Sequence, residues 1–143
     1  MITNARGMTL TEVLVAVFIL TIGLTAVATG MQLATASINL GQQETTATFL
    51  AEERLENIKA FALSVLGSQG FANVTPANFP AEGYGAVIIN GTSYNGYRRT
   101  TTITTPSATI KVVVVKIFYA PGAVSSSATA ERQVALSTVL TQR

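Results

Sequence analysis

The sequence predicts an α+β chain in which one long N-terminal helix is followed by a small antiparallel sheet. Three observations predict it. No charged residue occurs from Val13 to Gln43. Helical spacing of apolar residues then continues from Gln42 to Leu66 without proline or glycine. Three β-rich runs, punctuated by prolines, close the chain.

The uncharged run exceeds the roughly 20 residues, at about 1.5 Å each, that cross a hydrocarbon core about 30 Å thick. It therefore reads as a single membrane span. Glu12 stands at its head. An ionised side chain in hydrocarbon costs on the order of 3 kcal/mol, so Glu12 needs a partner. The positive charges ahead of it are Arg6 and the initiator amine, which predicts an N-in, C-out orientation. No proline kinks the run, although Gly23, Gly30 and Gly41 are soft points in it.

Gly7-Met8-Thr9-Leu10-Thr11-Glu12 ahead of an apolar helix resembles the leader signal of type IV prepilins and pseudopilins. The resemblance implies a prepilin peptidase cut between Gly7 and Met8, N-methylation of Met8, and an assembly role for Glu12, which would neutralise the terminal amine of a neighbouring subunit. Met8 stands where Phe is commonest in that family, and Thr11 where a large aliphatic residue is usual. Electrostatics is compatible with such a pair. An ammonium and a carboxylate about 4 Å apart attract by about 4 kcal/mol at an effective dielectric near 20, which offsets much of the burial cost. One pair per subunit contact would also set the axial register of the stacked helices.

Two other readings of the same segment make different predictions. An ordinary secretory signal would be cut after Ala26-Val27-Ala28 or Ala34-Thr35-Ala36, leaving Thr29 or Ser37 first and releasing a small exported binding domain. An uncleaved anchor would retain Met1.

Composition closes many chemistries. Without cysteine or histidine there is no disulfide, thiol nucleophile, imidazole base or His/Cys metal site. No phosphate-binding glycine loop and no Ser-x-x-Lys pattern occurs, so neither enzyme activity nor a cofactor is expected. Net charge is +2 and falls to about +1 without Arg6, too little to indicate a nucleic-acid or anionic-surface partner.

The predicted organisation is a leader at 1–7, an apolar span and assembly helix at 8–43, and one globular domain at 44–143. A helix continuous from Met8 to Leu66 would hold about 59 residues and measure near 90 Å. Ala47, Ala51, Leu55, Ile58, Ala62, Val65 and Leu66 share the face that docks on the domain, and Gly67 is placed to end the helix. Glu52, Glu53 and Glu56 read as a solvated face, with Glu56 and Lys59 as a helix-neighbour pair.

Residues 67–96 are predicted to be loop-rich, with a short strand at Ala86 to Ile89. Of Asn90-Gly91 and Asn95-Gly96, only one can be a tight turn between strands. Strands follow at Tyr97 to Thr105, stopped by Pro106; at Thr109 to Tyr119, stopped by Pro121-Gly122; and at Glu131 to Thr141. An antiparallel meander is expected, with the valine-rich middle strand central and packed against Leu55, Ile58 and Val65.

Strand alternation places Arg98 and Arg99 on opposite faces, and likewise Lys111 and Lys116, so DNA is not an expected partner and the lysines read as solubilising or edge-protecting. Tyr84, Tyr94 and Tyr97 read as loop-pinning side chains.

The helix-then-sheet order is that of the type IV pilin fold, which the leader resemblance independently implies. Within the family the stretch Leu50-Ala51-Glu52-Glu53-Arg54-Leu55-Glu56-Asn57-Ile58-Lys59 looks most like PilV-type minor pilins. The implied partners are prepilin peptidase, other pilin subunits, the inner-membrane assembly platform, and membrane lipid before assembly. The implied location is the inner membrane and then a filament. A minor pseudopilin of a type II secretion or DNA-uptake system shares all these features.

Overall fold

The computed structural model describes residues 8–120 and 131–142, so Gly7 and the Pro121-Gly122 stop lie outside the described residues. Helix α1 runs Leu10–Leu63, 54 residues, and all four prolines lie beyond it. Strands β1 (Ile88–Ile89) and β2 (Thr92–Ser93) form a hairpin. Strands β3 (Tyr97–Ser107), β4 (Ile110–Tyr119) and β5 (Arg132–Thr141) form an antiparallel sheet in the order β3-β4-β5. The fold is α+β, a long N-terminal apolar helix followed by a small antiparallel sheet, as in the type IV pilin fold.

The chain divides into two units, residues 1–39 and 40–143. Within the first, every described residue is exposed. The second contains the core. Ala47, Leu50, Ala51, Arg54, Leu55 and Ile58 are the buried residues of α1, a three-four spacing that lays one stripe of the helix on the sheet. The opposing layer is the alternate set Val113, Val115, Ile117 and Tyr119 of β4, so the middle strand is central as expected. Val74, Phe79, Val87 and Ile89 complete the core from the loop region, and Phe61 meets Phe79 edge-on at 5.1 Å.

The sheet side of α1 differs from the sequence reading at its end. The helix stops at Leu63 and not at Leu66, and Val65 is 99% exposed instead of packing on β4. Gly70, at φ +101°, turns the chain back so that its N–H donates to the Phe61 carbonyl at 2.9 Å. Gly70 rather than Gly67 thus satisfies an end carbonyl, because its positive φ costs glycine little.

Asn90-Gly91 is the tight hairpin turn. Both residues have positive φ, 49° and 80°, and Ile89 pairs with Thr92 across them. Pro106 does not stop β3. The strand continues to Ser107 through a register shift between Thr104 and Ser107, where a residue without an N–H is tolerated on an edge.

Candidate assembly site at the helix N-terminus

Thr9 precedes the first helical residue, Leu10, and Glu12 is the third residue of the helix. The Thr9 backbone N–H and hydroxyl both donate to Glu12 Oε2 at 2.8 Å, and the Glu12 N–H donates to Thr9 Oγ1 at 3.3 Å. This reciprocal capping box satisfies two of the four amides that a helix start leaves open. Thr9 thus supplies Glu12 with hydrogen-bond donors within the chain but with no counter-charge. The pattern Thr9-x-x-Glu12 ahead of an apolar run encodes this box locally, a signal separate from the charge that singles out Glu12. Among the described residues Glu12 Oε1 accepts no hydrogen bond.

Below this cap the helix is apolar on all sides. Leu14, Phe18, Ile19, Leu20 and Leu24 are each more than 60% exposed, and Met8 is 70% exposed. Several of its threonines satisfy themselves. Thr21 donates to the Val17 carbonyl, Thr25 to Thr21 and Thr35 to Met31, at 2.7, 2.7 and 2.9 Å. Folding each hydroxyl onto the preceding turn lets threonine sit in lipid without an orphan donor. Length and composition suffice to cross a membrane.

Residues 2–28 match the prokaryotic N-terminal methylation motif. Over this segment the chain is similar to type IV pilin-like substrates of prepilin peptidase, and the methylation motif contains Gly7, Met8 and Glu12. No curated protein and no solved structure matches the chain.

The second unit carries charge of a different kind. Arg99, 3% exposed on the inner face of β3, binds Glu53 of α1 at 2.9 Å, the side chain of Glu82, and the Leu50 carbonyl at 3.3 Å. Arg54 lies 5.2 Å from the Phe79 ring centroid and 3.8 Å from Glu82. Burial, and then the proximity of Arg99, lower the Arg54 pKa. Glu53 is therefore the half-buried partner of a buried arginine, which corrects its reading as solvated, whereas Glu52 and Glu56 are exposed and Glu56 meets Lys59 at 2.7 Å.

Lys111 corrects a second expectation. It is 7% exposed, on the helix side of β4, and its ammonium donates to the Ala72 and Val74 carbonyls at 3.0 and 2.8 Å while lying 5.1 Å from the Phe71 ring centroid. It ties down the loop instead of solubilising the surface, and burial lowers its pKa. Lys116 lies on the opposite face, and the opposed faces of Arg98 and Arg99 are also as the alternation predicts. Tyr84 donates to Glu131 at 2.6 Å, Tyr94 packs edge-on to Tyr97, and Tyr97 reaches the Gln43 carbonyl at 3.4 Å.

Proposed function

We propose that this protein is a structural filament subunit, a minor pilin of PilV type. It is held in the inner membrane N-in, cut by prepilin peptidase between Gly7 and Met8, methylated on Met8, and assembled with other pilins into a type IV pilus or a related fibre. The observation that carries the proposal is the methylation motif over residues 2–28 at the head of an exposed apolar helix whose first turn holds one carboxylate.

In this reading Glu12 has two successive tasks. In the membrane its Oε2 caps the helix through Thr9, which lowers the cost of holding the acid near lipid. On assembly its Oε1 accepts from the methylated amine of a neighbour, and the match of one acid to one amine fixes axial register. The globular unit then presents its loops and sheet outside the membrane.

The decisive measurement is the intact mass of the protein in sheared surface fibres. A chain beginning at methylated Met8 is the expected result. A chain beginning at Met1, Thr29 or Ser37 overturns the proposal. Gly7→Trp should leave the leader attached, because a bulky side chain blocks the cut.

A further inference from the structure

The two edges of the β3-β4-β5 sheet are not alike. On the β3 side, Glu82 and Arg99 exchange two backbone hydrogen bonds of 2.8 Å, and Pro106 sits within the register shift. Both features block addition of a further strand. Strand β5 has neither. It pairs with β4 in unbroken register from Arg132 to Thr141, and its ten residues include no proline, glycine or lysine.

The Gln142 N–H donates to the Thr109 carbonyl at 2.9 Å. Because an antiparallel ladder alternates every residue, the even-numbered residues of β5 bond to β4, and the backbone groups of Gln133, Ala135, Ser137, Val139 and Thr141 point away from the sheet. Among the described residues no strand lies beyond β5. On the helix side of this edge Val134, Leu136 and Leu140 are only partly buried.

Glu131, just ahead of the strand, is taken up by Arg98 and Tyr84, which leaves two cations near this edge. Arg132 is exposed at the start of the strand, and Lys116, partly exposed on the face of β4 away from the helix, lies directly across from the small Ala135. Neither cation has a carboxylate within salt-bridge distance among the described residues.

We propose that β5 accepts an extended strand from a different protein. The strand runs antiparallel, carries carboxylates opposite Arg132 and Ala135, three residues apart, and sets apolar side chains opposite Val134, Leu136, Thr138 and Leu140. A second copy of β5 suits the edge less well, since it contains no carboxylate for either cation.

The probe is the synthetic peptide Thr-Val-Thr-Val-Thr-Val-Glu-Val-Thr-Glu, added to the full chain in detergent micelles while amide exchange is followed by NMR. The expected result is exchange slowed about tenfold or more at Gln133, Ala135, Ser137, Val139 and Thr141, with no comparable change along β3. Replacing both glutamates of the peptide by lysine should weaken binding at least about fivefold. Ser137→Pro removes an outward N–H that the β4 ladder does not use and should abolish the slowing. Ala135→Glu, which gives Lys116 an internal partner, should weaken the acidic peptide even if the proline variant fails to fold. No slowing, or equal effects of the acidic and basic peptides, overturns the proposal. So does slowing of these amides that grows with protein concentration in the absence of peptide, because a second copy would then be the occupant.

Discussion

Glu82 and Arg99 hold each other twice, by a pair of backbone hydrogen bonds of 2.8 Å and by their side chains, and the same guanidinium also binds Glu53 of α1. One buried cation thus joins the helix, the loop before the hairpin and the first long strand. Arg99→Ala leaves Glu53 without its cation, Glu82 with only Arg54 at 3.8 Å, and the Leu50 carbonyl without this donor. The expected loss is about 3–5 kcal/mol, read as a lowered denaturant midpoint of the full chain in micelles. Arg99→Lys should recover only part of it, because an ammonium cannot reproduce the planar fork that reaches Glu82, Glu53 and the Leu50 carbonyl together.

Glu131 makes acid stability predictable. Bidentate contact with Arg98 at 3.0 and 2.6 Å, then the Tyr84 hydroxyl, hold its carboxyl down to about 2 from an ordinary value of 4.5. A carboxyl with a depressed folded pKa contributes stability that is complete above the unfolded value and is lost as pH falls through the folded one. The contribution should therefore disappear between about pH 4.5 and about pH 2. Glu131→Gln should flatten the pH dependence in that window, and a carboxyl NMR titration of the native chain should place one glutamate near the lower limit.

Lys111 is expected to act locally. Lys111→Met keeps the apolar stem but leaves the Ala72 and Val74 carbonyls without their donor, at a cost of about 1–3 kcal/mol. Faster amide exchange confined to residues 69–79, with the strands unchanged, is the expected signature. Uniform acceleration across the sheet would show that the lysine supports the whole core instead.

Thr9 and Glu12 separate capping from charge. Thr9→Ala should cost the helix start about 1 kcal/mol while leaving the carboxylate available, and fibre incorporation should persist. Glu12→Gln retains a capping acceptor but no charge, and it should be trimmed normally yet enter fibres poorly. Quantitative mass spectrometry of membrane and sheared-fibre fractions checks both. Equal incorporation of Glu12→Gln and the native chain would remove the registry role proposed for the acid.

Sequence alone was enough for the apolar span, the amphipathic half of α1, a tight turn at one of the two Asn-Gly pairs and the antiparallel meander. Each is written in local spacing: charge-free length, a three-four repeat, paired positive-φ residues, and β-branched runs between breakers. The capping box was equally local and legible as Thr9-x-x-Glu12. Other features depend on residues far apart in the chain, and no local pattern encodes them. Lys111 and Lys116 have the same chemistry in one strand, but only the loop carbonyls that pack over Lys111 make it a tether. Arg99 and Glu53 become an ion pair because β3 lies on the helix side chains 46 residues earlier. Val65 is apolar yet exposed because Gly70, not Gly67, turns the chain. Local periodicity determined which elements form, whereas tertiary contact decided which polar groups are paired, since desolvation and pairing are properties of neighbours in space.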